Sequence, residues 1–372
     1  MSLNKILPLL FLLVLGMGLA LDSYLPVLPK IKEYFHASQG EAQLTMSFFM
    51  LAYGAGQLFL GPISDIYGRK KIAILSLCLY LVSSLLCSLA NHIHFIIFGR
   101  ILQGLGASGS TVVAFATVRD IYGEKRSAPV YSYLNGIMSF SPMLAPLLGS
   151  LLNLLFGFRS IFLFLGFYAL FSILCISIKF KESLTEKKRL TVTKKILVNY
   201  YEIAKNSRFQ YYTLSGACGI ATLFSYFSAS PIFMIHYRGI SESFYGILFG
   251  LNAIACLFSN IFAAKCILKV GILRSILVGA SLILIGGLSM LLWGNLSPSI
   301  WSCFFPMLIA SSGVSFILGS SASGALQEFE RAAGTASAIY GSFSFIFSGI
   351  FGYYLIKLKL YTPSKLGLTL IV

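Results

Sequence analysis

Gly61-Pro62-Ile63-Ser64-Asp65-Ile66-Tyr67-Gly68-Arg69-Lys70-Lys71 lies between two apolar stretches, roughly Thr45 to Leu60 and Ile72 to Ala90. With its adjoining residues, each stretch approaches the ~20 residues a helix needs to cross a bilayer. The segment between them sets two glycines, a carboxylate and three cations in a turn too short to be a domain. A charged hairpin between two membrane helices reads either as a moving latch or as a plain topological anchor.

The rest of the chain supports the membrane reading. Of its 372 residues, 57% are hydrophobic and 11% charged, where a soluble domain carries about 25% charged residues. The chain is therefore expected to be a polytopic, all-α membrane protein, since a helix satisfies its own backbone polar groups in lipid. Spans are read near 6–26, 43–63, 72–90, 94–116, 128–153, 158–178, 211–235, 243–264, 272–292, 300–321 and 331–354. The net charge is +16. With a cytoplasmic N-terminus, 20 cations fall in inside segments and 7 in outside segments, leaving Arg100 within a span. That bias follows the positive-inside rule, so the charge is topogenic and no nucleic-acid partner is expected.

The cysteines are scattered singly without metal-ligand spacing. His36, His92, His94 and His236 fall on outside loops or span edges. No metal site is expected, and no nucleophile–base set that would make an enzyme. Gly18-Leu19-Ala20 resembles a signal-peptide cleavage site, but the next residues continue the helix toward Pro26.

Six spans precede a polar stretch and five follow it, which divides the chain into 1–178, a cytoplasmic connector 179–210, and 211–372. The final run, Leu366 to Val372, is too short to cross and reads as the opening turns of a truncated twelfth helix. Ala264 to Arg274 is a degenerate copy of the hairpin, with Leu268 standing where Asp65 would be. Duplicated halves with a site between them are a common transporter plan.

Ionisable residues inside spans are costly and mark function. Asp22 is the acidic residue clearly within a span, and Arg100 the cation. At ~1.5 Å per residue they lie ~13 and ~9 Å from the outer side, close enough in depth to couple. Asp22 could take up and release a proton under the influence of Arg100. Alternatively, the two could form a static ion pair joining helices one and four. Pro26 and Pro29 suit a kink or a helix end. In helix five, Pro142-Met143-Leu144-Ala145-Pro146-Leu147-Leu148-Gly149-Ser150 allows close packing and a bend; helix seven has Ser228-Ala229-Ser230-Pro231 beside Tyr226. In the hairpin, Asp65 can accept from the N–H groups of a neighbouring helix start, Gly68 permits a tight turn, and Arg69 can pair with a carboxylate or a helix C-terminus.

These residues resemble a known family. The hairpin is similar to the signature loop of the major facilitator superfamily, with Gly61, Asp65, Gly68, Arg69 and Lys70 at its key positions. Arg100-Ile101-Leu102-Gln103-Gly104-Leu105-Gly106-Ala107 resembles its helix-four motif, whose arginine is implicated in proton coupling. The helix-five segment, with Pro142, Ala145, Pro146 and Gly149, resembles the antiporter motif, although Ala145 and Ser150 replace glycines. Leu21 to Pro29, Val118-Arg119-Asp120-Ile121-Tyr122 and Ser230-Pro231 followed by Gly239-Ile240-Ser241 and Tyr245-Gly246 are similar to the Bcr/CflA drug:proton antiporters.

The resemblance implies two six-helix halves and proton-driven efflux of drugs or other small molecules across a bacterial inner membrane. It implies protons and a small-molecule substrate as partners besides lipid, no cofactor beyond the proton gradient, and a monomer. Asp22 and Arg100 are then the proton-coupling residues, Gly61 to Lys70 the conformational latch, and Tyr24, Gln103 and Tyr226 candidates to line the substrate cavity. The alternatives are a proton-coupled importer of a nutrient, and a non-transporting receptor or remnant.

Overall fold

Two prolines break the first transmembrane rod. In the computed structural model, which describes residues 3–184, 200–327, 329 and 333–371, α1 runs Leu3–Asp22, a 3₁₀ turn follows at Leu25–Val27, and α2 covers Leu28–Tyr34. Pro26 has no N–H to offer the Asp22 carbonyl, and Pro29 none for that of Leu25. Both prolines therefore open the next helical piece. The kink expected at Pro26 is present, whereas Pro29 begins α2 instead of ending the rod.

Ser38 and Glu41 form a capping box at the start of α3, Gln39–Tyr67, which ends on Gly68 at φ +98°. That left-handed conformation suits glycine and lets α4, Arg69–Ser88, start at once. Next come α5, Ile93–Phe156, and α6, Arg159–Lys179. Separate helices were expected over 94–116 and 128–153, and two apolar stretches stand there, Ile93–Tyr122 and Ser141–Phe156. A straight rod would set Arg100 and Ser141 about 60 Å apart. Both instead touch the end of α1, and Val118, Val130 and Leu134 share one apolar cluster with Ile6 and Leu10. The chain therefore turns back between Asp120 and Ser141. Its two arms occupy the places of the two expected spans.

Residues 200–205 are helical; 185–199 of the expected connector lie outside the described residues. Then α7, Ser207–Pro231, passes into a π-helical turn at Ile232–Tyr237. It is followed by α8, Glu242–Val270, and α9, Ile272–Leu296. Last come α10, Ile300–Gln327, α11, Ala333–Lys357, and α12, Pro363–Ile371. Ten of the described helical stretches are long and apolar enough to cross a membrane. The second arm of α5 adds the shorter apolar stretch Ser141–Phe156.

Helices α1–α6 pack on one another, as do α7–α12. The two groups meet along α3 with α11 and along the second arm of α5 with α8. Small residues make this close approach possible. A Cβ on Gly54 of α3 would come 2.9 Å from the Ser342 carbonyl of α11, and one on Gly250 of α8 3.1 Å from that of Met143 in the second arm of α5. The final run forms α12, whose Gly367 packs on Leu291 of α9. The weak repeat is visible in the backbone: Gly271 turns at φ +86° between α8 and α9 as Gly68 does between α3 and α4. Leu268, at the place of Asp65, is 87% exposed and supplies no latch.

Candidate functional site

Three polar centres lie along the bundle axis: one at the hairpin end, one midway, and one at the far end.

At the hairpin end, Arg69 is buried although it carries a full charge. It pairs with Asp65 one turn back on α3, with Asp120 on α5 at 2.9 Å, and donates to the Ser64 hydroxyl. Three helices are thereby fastened through one guanidinium, whose planar fork suits several acceptors at once. The expected carboxylate at a helix start is present, but it is not Asp65. Glu182, just after α6, accepts from the backbone N–H of Arg69 at 3.0 Å and of Lys70 at 3.1 Å. There it meets the positive end of the α4 dipole. Lys70 in turn donates to the Ser177 carbonyl in the last turn of α6. Gly61 faces Val112 of α5 without crowding. The hairpin is thus tied to α5 and α6.

Midway, Asp22 ends α1 with 3% of its surface exposed. Its partner is the Ser141 hydroxyl, donating at 2.8 Å from the second arm of α5. Among the described residues no cation lies within ion-pair distance of it. Arg100, fully buried, turns elsewhere. It donates to the Ala20 carbonyl at 3.0 Å, the Gln103 side-chain oxygen at 2.6 Å and the Thr45 carbonyl at 3.4 Å. The two residues come to one level of the bundle as expected, but the static ion pair does not form.

Of the cavity candidates, Tyr24 is fully buried with its ring against Arg100 and its hydroxyl bonded to Thr45 at 2.8 Å. Gln103 is equally buried and held by Ser84 at 2.8 Å. In this conformer both serve Arg100. Tyr226 stacks on Phe249 beside the buried Ser230–Tyr245 hydroxyl pair. The helix-five segment makes a seam: Ala145 is buried, Leu147 packs on Gly246, the Met143 carbonyl faces Gly250, and Gly149 abuts the Ser23 backbone. Pro142 and Pro146 lie within this arm.

At the far end, polar contacts join α1–α6 to α7–α12. Glu242, first residue of α8, pairs with Lys30 at 3.1 Å and accepts from Asn153, while its carbonyl accepts from Ser150 at 3.0 Å. His236 of the π turn lies 3.6 Å from Glu33. Beneath them, Gln43 donates to Ser228 at 2.7 Å, both buried. The bundle is closed here. Replacing Glu242 with Ala should loosen this closure, because one carboxylate engages two helical segments. A cysteine at Ser228 should then react several-fold faster with a water-soluble maleimide than it does with Glu242 intact; equal rates would show that Glu242 bears none of the closure.

Ser141, Glu182, Asn153 and Glu242 were not singled out from the sequence as site residues. The sequence signals around Glu242 are Gly239-Ile240-Ser241 and Tyr245-Gly246, which flank it without naming it, and Ser241, which marks a helix start. Partners from remote segments leave no local pattern.

Residues 10–353 match the family described as Major Facilitator Superfamily. The chain is 30% identical over 343 residues to a chloramphenicol resistance protein of Pseudomonas aeruginosa, a match covering 92% of this chain and 81% of that protein. It is 34% identical over 250 residues to the multidrug resistance protein MdtL of Salmonella heidelberg (strain SL476), covering 65% of this chain but only 61% of that protein. Among solved structures, a D-xylose-proton symporter superposes with a TM-score of 0.74 at 13% identity, covering 100% of this chain and 96% of the symporter. The E. coli xylose transporter XylE, in a partially occluded inward open conformation, gives 0.75 at 13% identity, covering 99% and 95%. With the charged hairpin, the buried carboxylate and guanidinium, and the bundle closed at one end, these matches place the chain in the Major Facilitator Superfamily of membrane transporters.

Proposed function

We propose that the chain is a drug:proton antiporter of the Bcr/CflA type, acting as a monomer in a bacterial inner membrane. It would carry small molecules outward as protons enter, with the N-terminus and the hairpin end in the cytoplasm and no cofactor beyond the proton gradient. The observation that carries the reading is Asp22, a buried carboxylate with a hydroxyl for a partner and no countercharge among the described residues. A static ion pair would hold such a group in one charge state; here the fold leaves the charge free to change. The resistance proteins among the relatives support the direction and the substrate class.

With the far end outside, the closure through Glu242 and Gln43 seals the outer side in this conformer. Asp22 loses its proton to the cytoplasm and substrate enters from the hairpin end. The hairpin end then closes as the far end parts. A proton taken up from outside at Asp22 accompanies release of substrate, and the protonated carrier returns. Such a cycle needs two arrangements whose balance the proton and the substrate each bias.

Expression in a drug-sensitive bacterial strain tests this. Cells carrying the chain should retain less ethidium or chloramphenicol than cells without it, and an uncoupler should abolish the difference. Equal retention in both, with expression confirmed, would reject the proposal.

A further inference from the structure

A buried arginine without a carboxylate must be held by something else, and here two aromatic faces do it. The Arg100 guanidinium carbon lies 4.2 Å from the centre of the Phe49 ring and 4.7 Å from that of Tyr24. Its hydrogen bonds run to Ala20, Gln103 and Thr45, and its Nη2 has no hydrogen-bond partner. The Ala20 carbonyl belongs to the last turn of α1, where carbonyls lack intrahelical donors and the helix dipole favours a cation. The ionisable groups acting on Arg100 are Tyr24 from the break after α1, and Tyr80 and Cys87 from α4. Facing Asp22 are Ser141 of α5 and, electrostatically, Tyr245 of α8.

We infer that Phe49, with Tyr24, is a positioning residue for proton coupling: the two rings hold Arg100 on the broken end of α1 and keep it off the Asp22 carboxylate. Aromatic faces attract a desolvated guanidinium without neutralising it. The rings are themselves fixed, Tyr24 through Thr45 and by packing on Phe162, Phe49 by stacking on Tyr53 at 6.4 Å. Phe49 stands one turn after Thr45, so α3 supplies both a carbonyl and a ring to the same cation. Asp22 lies two residues beyond Ala20. Without the Phe49 face, the free Nη2 edge turns to that carboxylate, and the resulting ion pair holds Asp22 charged.

The inference rests on Asp22 being the proton carrier, and infrared difference spectra of the purified full-length protein across an acid–base step separate the two ideas. The wild-type chain should show a protonated-carboxyl band that Asp22→Asn removes; absence of that band would overturn both. In Phe49→Leu the band should be lost over the pH range in which the wild type shows it, in Phe49→Tyr it should persist, and in Phe49→Leu/Arg100→Gln it should return. A wild-type band in Phe49→Leu would overturn the positioning role while leaving Asp22 as carrier. So would failure of the double variant to restore it, since a general loss of packing is not repaired by removing a cation. Should Phe49→Leu not fold, as judged by gel filtration and circular dichroism, Phe49→Met, of similar volume and flexible, takes its place with the same expected outcomes.

Discussion

Asp22→Asn should abolish proton-driven transport while leaving a folded protein. The amide keeps the shape of the side chain and can still accept from Ser141, but it cannot exchange a proton in the working pH range. Because the amide keeps the Ser141 hydrogen bond and no countercharge among the described residues is left unpaired, the variant should melt no lower than the wild type. In proteoliposomes with an imposed proton gradient, substrate accumulation should fall to the level of protein-free vesicles. Exchange of labelled for unlabelled substrate across the same membrane, which needs no net proton movement, should persist. Full gradient-driven accumulation by the variant would remove Asp22 from the mechanism. Loss of exchange together with accumulation would assign it to substrate binding or to structure instead.

Arg69→Ala should be the most destabilising single change at the hairpin end. The side chain is buried between Asp65 and Asp120. Removing one partner of a buried ionic cluster costs about 3–5 kcal/mol, because the remaining charge stays desolvated. Here two carboxylates would be left facing one another. The expected result is a lower melting temperature in detergent and a fall in transport beyond any loss of protein. Arg69→Lys keeps the charge without the planar fork that reaches Ser64 and both carboxylates, and should recover only part of the stability. Adding Asp120→Asn to Arg69→Ala relieves the repulsion and should restore some of it. If Arg69→Ala melts like the wild type, the cluster is a surface decoration and the latch must be sought elsewhere.

The legibility of these centres in the sequence differed for physical reasons. Asp22 and Arg100 stood out because a charge in an apolar run is costly wherever the run folds. Gly68 could be read as a tight turn, and the structure sets it at φ +98°. Arg69 was open to pairing with a carboxylate, but the identity of that carboxylate was not: Asp120 lies 51 residues away. Glu182, 113 residues from Arg69, took the place at the helix start that had been assigned to Asp65. The two apolar arms of α5 read as separate spans, and the structure packs both of them against α1.

What the sequence by itself determined was the membrane-spanning helical architecture, the charged hairpin and the two ionisable residues within the spans. Each follows from local chemistry: apolar length against bilayer thickness, the freedom of glycine, and the cost of a charge in lipid. What only the tertiary structure decided was who faces whom. It turned Arg100 to carbonyls and aromatic rings and left Asp22 to a serine. Tyr24 and Gln103 were drawn inward to hold that arginine, and the bundle was closed through Glu242 at the end opposite the hairpin. Those outcomes depend on helices brought together by packing, and a one-dimensional pattern carries no record of the neighbour a side chain will meet.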